Sequence, residues 1–135
     1  MNIISAIHSR EVFRPLFKDP KTWHAWEVFL RGLFGLPIES AEDLALFKDC
    51  TGLEGTRGEK IRESYVIAGR RSGKSYTSAL IAVFLACFKD WSSYLSAGER
   101  GWIFIIAVDK SQAGVIKAYI SGIFHRVKCL KGMIA

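Results

Sequence analysis

The residues best suited to chemistry sit in one stretch, Ala68-Gly69-Arg70-Arg71-Ser72-Gly73-Lys74-Ser75. It fits the pattern G-x-x-x-x-G-K-[ST], with alanine in the place of the first glycine. Each position has a physical task in gripping a phosphate chain. Gly69 and Gly73 let backbone N–H groups turn inward around an anion with no Cβ in the way. A helix starting near Gly73 adds unsatisfied N–H groups and the positive end of its dipole. Lys74 supplies a mobile point charge for the β- and γ-phosphates, and the Ser75 hydroxyl is a candidate Mg²⁺ ligand. The expected binding set is Ala68 through Ser75, extended by Tyr76. Within the loop, Arg70 or Arg71 either faces solvent or reaches the γ-phosphate as an arginine finger in cis, and the pattern does not choose between them. The plainer alternative is a basic turn at a helix start.

Such a loop needs a strand before it and a helix after it. Ser64 to Ala68 reads as a short buried strand, and Lys74 to Phe88 as a long helix, apolar on most sides and so expected to bury against a sheet. The near-continuous apolar run Trp102 to Val108 has the form of a central parallel strand. Asp109 with Gln112 is placed to cap a following helix whose stripe is Ile116, Tyr119, Ile120, Ile123 and Val127. Strand, helix, strand, helix predicts a βαβα unit and an α/β fold. Upstream, residues 22–34 put Trp23, Trp26, Phe29, Leu30, Leu33 and Phe34 on one helical stripe, with Thr22 as N-cap and Gly35 and Pro37 as the stop. Ser40 and Asp43 open a short helix through Phe47. The glycine-rich stretch 51–60 reads as a loop and hinge. Two segments are expected: a helical one over 1–60 flanking the nucleotide site, and the front of a phosphate-loop ATPase domain over 61–135.

Composition narrows the classes. The chain has 135 residues, half of them hydrophobic, which excludes a disordered tail. Its longest uncharged stretch, Ser75 to Phe88, falls short of the roughly 20 residues needed to span a bilayer. No signal peptide is read, and the three cysteines, Cys50, Cys87 and Cys129, are too scattered for a disulfide framework or a zinc knuckle. A cytoplasmic protein with no membrane partner is expected. His8, His24 and His125 show no ligand spacing. Of the net charge of +6, residues 61–135 carry 11 basic against 4 acidic side chains, a field suited to a polyanion.

The segments TWHAWEVFLRGLFGLP, LFKDCTG, AGRRSGKS, GER and IIAVDKSQA, in this order, resemble the N-terminal ATPase region of large terminase subunits of tailed phages and prophages. The resemblance runs from about Trp23 to Ile123. It implies a DNA-packaging motor: an ATPase domain of the additional-strand type, using ATP and Mg²⁺ to drive double-stranded DNA into procapsids. It also implies a ring homo-oligomer working with a small terminase subunit and a portal protein in the host cytoplasm. Carried over, phosphate binding falls to Gly69, Gly73, Lys74 and Ser75, with Arg70 or Arg71 sensing the γ-phosphate. Trp23, Trp26 and Phe29 lie where the family builds the adenine side of its pocket, against the plainer reading of core packing. Leu53 stands where the family often has arginine after Thr-Gly; Arg57 is nearby. The family's acidic magnesium and water-activating pair would fall after position 135, so the chain reads as the front portion of a longer protein. Taken alone, it is expected to bind ATP with little turnover.

Two other classes fit some of these residues. In a compact phosphotransferase, Asp109 would lie near a substrate hydroxyl, but no acceptor-binding signature is visible. The apolar run ending in Asp109 also has the form of a Mg²⁺-ligating strand end; Lys110 follows it in place of glutamate, so no general base for water is evident, and the bland role is a helix cap. In a non-catalytic DNA-binding module, Arg126, Lys128 and Lys131 would form the basic cluster, against a bland role as solvated helix-end residues.

Overall fold

The computed structural model describes residues 1–59 and 61–133. Lys60, at the end of the expected 51–60 loop, and Ile134 and Ala135, at the end of the terminal KGMIA, lie outside the described residues. In chain order the helices are α1 (Ile3–His8), α2 (His24–Leu33), α3 (Ala41–Thr51), α4 (Lys74–Cys87) and α5 (Lys110–Arg126), with short 3₁₀ turns at Arg14–Leu16, Pro20–Trp23 and Lys128–Leu130.

Among the described residues there is no β-strand. The expected α/β fold, a P-loop NTPase of the additional-strand type with a parallel βαβ core, is therefore corrected: the protein is all-helical. Residues 64–68 and 102–108, both expected to be buried strands, run without regular structure and outside the core. Ile67 is fully exposed, and Trp102, Phe104, Ile106 and Val108 are all more than three-quarters exposed. No backbone–backbone hydrogen bond is made by residues 62–68 or 101–108 to any described residue. The physical reason is that a strand has no ladder of its own: its stability comes from a neighbour's N–H and C=O groups and from cross-strand side-chain pairs. An apolar run shows a capacity for sheet, and only pairing realises it.

The core is instead helix on helix. Ile3, Ala6, Ile7, Phe13, Leu16 and Phe17 pack with Leu30, Ala79, Leu80, Val83, Phe84, Ile123, Val127 and Leu130, so both segments of the chain share one cluster. The apolar face of α4, expected against a sheet, buries chiefly against α5 and the N-terminal turn. Aromatic edges close the seams: Phe13 meets Phe88 edge-on at 5.5 Å, and Phe34 meets Phe84 at 5.6 Å.

The helix ends follow local chemistry. Helix α2 begins at His24, one residue later than a Thr22 cap requires; Thr22 lies in a 3₁₀ turn capped by Asp19, whose carbonyl accepts from its hydroxyl at 2.8 Å. The same helix ends in a left-handed turn at Gly35 (φ +65°), where a Cβ would stand 2.5 Å from the Glu59 carbonyl oxygen, so no other residue fits. The Ser40 hydroxyl accepts from the Asp43 amide to open α3.

Asp109 caps α5, its Oδ1 accepting from the Gln112 amide at 2.8 Å. Replacing Asp109 with alanine leaves that amide without its partner and is expected to lower unfolding stability by about 1 kcal/mol. Urea denaturation followed by circular dichroism measures it; an unchanged midpoint would show that the cap carries no weight.

Candidate functional site

Residues 69–73 form a tight turn between the irregular run 64–68 and the first turn of α4. The Ser72 amide donates to the Gly69 carbonyl at 3.3 Å, folding the turn on itself. Arg71 (φ +64°) is the one non-glycine residue in the left-handed region among the described residues, and Gly73 (φ +90°) is left-handed as well. Positive and negative φ thus alternate from Arg70 to Gly73. Alternation of right- and left-handed backbone is what turns successive N–H groups toward one side and makes an anion-binding concavity. Holding a β-carbon residue such as Arg71 left-handed costs roughly 1–2 kcal/mol.

Gly73 occupies the N-cap of α4 and brings no side-chain cap. The amides of Gly73, Lys74, Ser75 and Tyr76 have no hydrogen-bond acceptor among the described residues. They stand at the positive end of a helix running to Cys87. The Lys74 ammonium folds back across the turn and donates to the Gly69 carbonyl at 3.3 Å, placing a mobile cation against the turn. Lys74 and Ser75 also line an open cleft of about 560 Å³ with Ser78, Gln112 and the apolar residues Val66, Ile106 and Val108.

The other expected site residues are distributed as follows. Arg70, Arg71 and Ser72 are exposed on the turn, and Ala68 is half-buried at its entry. Tyr76 turns away from the turn into an aromatic cluster, 5.3 Å from Trp23, 6.4 Å from Phe17 and 5.3 Å from Tyr119. Burial raises its phenol pKa above the usual range, against an opposing pull from the Arg126 charge. Trp23 and Trp26 lie on the flank of the turn, and Phe29 meets Trp26 edge-on at 5.6 Å. The Trp26 indole N–H donates to the Ser72 carbonyl at 2.7 Å, a contact across 46 positions that no local spacing announces. Arg57 and Leu53 share a separate cavity beside α2 and α3 that includes no residue of the turn. Arg126 and Lys128 line a surface cleft with Arg10 and Glu11 near the far end of α5. No group of three or more His, Cys, Asp and Glu that could hold a metal is found among the described residues, and Cys50, Cys87 and Cys129 are free thiols. No helix among the described residues is long and apolar enough to cross a membrane.

Behind the turn, Thr77 is 2% exposed and its hydroxyl has no partner among the described residues. It borders a small void lined by Trp23, Trp26, Leu30 and Leu80. A buried hydroxyl without a partner is unfavourable, so the isosteric Thr77→Val variant is expected to gain about 1 kcal/mol of stability. Thermal denaturation tests this, and a loss would reveal a hydrogen bond made by the hydroxyl.

No family model, curated protein or solved structure matches the chain.

Proposed function

We propose that this chain binds ATP with Mg²⁺ through the turn Gly69 to Ser75, as the ATP-binding portion of a terminase large subunit that powers packaging of double-stranded DNA. One observation carries the binding reading. Four amides at the start of α4 lack an acceptor, the sign of φ alternates from Arg70 to Gly73, and the Lys74 ammonium lies across the same turn. These parts have a common use in holding a run of phosphate oxygens. The Ser75 hydroxyl, on the cleft beside Lys74, is the Mg²⁺ ligand in this reading. Mg²⁺ held there would neutralise phosphate charge, and the chain's own residues hold the phosphates in place.

The packaging role rests only on the resemblance of the ordered segments to those of terminases; the helical fold lends it no support. Partners follow from it: double-stranded DNA, a small terminase subunit, a portal protein and further copies of the chain in a ring, within the host cytoplasm. The cap bond to Gln112 gives one Asp109 oxygen a structural task, and the present reading asks no chemistry of that residue.

The test is a titration of the chain with a fluorescent ATP analogue and Mg²⁺, with phosphate release followed in parallel. Saturable binding displaced by unlabelled ATP, with little release of phosphate, supports the proposal. Salt-dependent DNA binding with no response to ATP would replace it with a plain basic binding module.

A further inference from the structure

We infer that Trp26 is a positioning residue for the phosphate turn: its indole N–H fixes the Ser72–Gly73 peptide so that the Gly73 amide faces the anion. The inference rests on the triphosphate-binding reading above and deepens it. Its basis is peptide geometry. No cis peptide bond occurs among the described residues, so the Ser72 carbonyl and the Gly73 N–H point in opposite directions across one plane. Trp26 Nε1 holds that carbonyl at 2.7 Å on the α2 side. The Gly73 N–H is thereby turned away from α2, where it meets no acceptor among the described residues.

The two tryptophans also close the flank of the turn sterically. A Cβ built on Gly73 would lie 3.1 Å from Trp23 Cη2 and 3.5 Å from Trp26 Nε1. The peptide at this corner is thus braced by a hydrogen bond on one atom and by ring surface beside the next. A loop whose peptides must flip before binding loses affinity by the fraction of time it spends in the wrong orientation. A brace that holds one peptide in the competent orientation removes that loss. The brace differs from a base-stacking role for Trp26: it uses the indole N–H, whereas stacking would use the ring face.

The experiment compares wild type with Trp26→Phe in binding Mg²⁺·ATP and Mg²⁺·tripolyphosphate, the latter having phosphates and no base. Phenylalanine keeps ring packing and removes the donor. The expected result is a loss of about tenfold for both ligands alike, the scale of one hydrogen bond. Loss for ATP alone would make Trp26 a base platform and overturn the inference, as would unchanged affinity for both. If wild type binds neither ligand, the nucleotide reading itself falls. Should Trp26→Phe fold poorly, indole N–H exchange in ¹⁵N-labelled wild type replaces it. Slower exchange of the Trp26 indole proton on adding tripolyphosphate is expected from reciprocal linkage, and unchanged exchange overturns the inference.

Discussion

Replacing Lys74 with alanine weakens Mg²⁺·ATP binding by about 30- to 150-fold, the equivalent of losing one charge-assisted contact of roughly 2–3 kcal/mol. The side chain is exposed, and its ammonium makes a single long bond to the Gly69 carbonyl. Nothing in the core depends on it, so stability should change by no more than about 0.5 kcal/mol. That separation makes the variant informative, because lost binding cannot be attributed to lost fold. Lys74→Arg keeps the charge but replaces a compact ammonium with a planar fork, and should recover only part of the affinity. Equilibrium titration with the fluorescent analogue measures all three proteins. If Lys74→Ala binds as wild type does, the turn does not hold the phosphates.

The second large effect concerns the core and bears on the correction of the fold. Phe13 is fully buried between α1 and α4, its ring against Phe88 and its amide donating to the Ala6 carbonyl at 3.1 Å. Phe13→Ala removes a large ring and leaves a cavity, at an expected cost of about 3–5 kcal/mol. Against a total stability of about 5–15 kcal/mol, that is a large share of what holds the fold together. Ile67→Ala is the matched comparison. Ile67 would lie in a short buried strand if residues 64–68 formed part of a sheet, and its loss would then cost about 2–5 kcal/mol. It is fully exposed here, so its removal should be nearly neutral. Urea denaturation of both variants decides the matter, and a severe Ile67→Ala would restore the sheet at the expense of the helical packing.

The contrast between helices and strands shows where sequence reading succeeds. Helices α2 to α5 were foreseeable because a helix satisfies its own backbone, so its signals are local: apolar positions three and four apart, a serine or aspartate before the first turn, a glycine after the last. The Asp109 and Gln112 spacing is such a signal, and the cap bond appears where that spacing puts it. Residues 64–68 and 102–108 carried equally strong apolar patterns, yet whether they pair depends on atoms elsewhere in the chain. Helix α1 was not anticipated, because its six residues are too few to show a period. Its cap is an Asn2–Ser5 exchange in which serine stands in for the usual glutamate or glutamine.

The turn itself was largely legible from its glycines, lysine and serine, because each residue type has a backbone or charge consequence of its own. Its surroundings were less so. The brace from Trp26 joins residues 46 apart, and an aromatic stripe on α2 is equally compatible with core packing and with a ligand wall. Tyr76 shows the opposite difficulty. It follows Ser75 directly, but its side chain leaves the helix toward Phe17 and Tyr119, so adjacency in sequence did not become adjacency in the site.

The exposed run Trp102 to Val108 has a colloidal consequence. It contains no charge and no proline, and β-branched and aromatic residues dominate it, a makeup that favours cross-β stacking between chains. Glu99 and Arg100 stand just before it, and Asp109 and Lys110 follow it directly. These flanking charges act as gatekeepers, opposing the in-register approach of a second molecule. Asp109 therefore serves two ends: it starts a helix, and it keeps the preceding run dispersed in water.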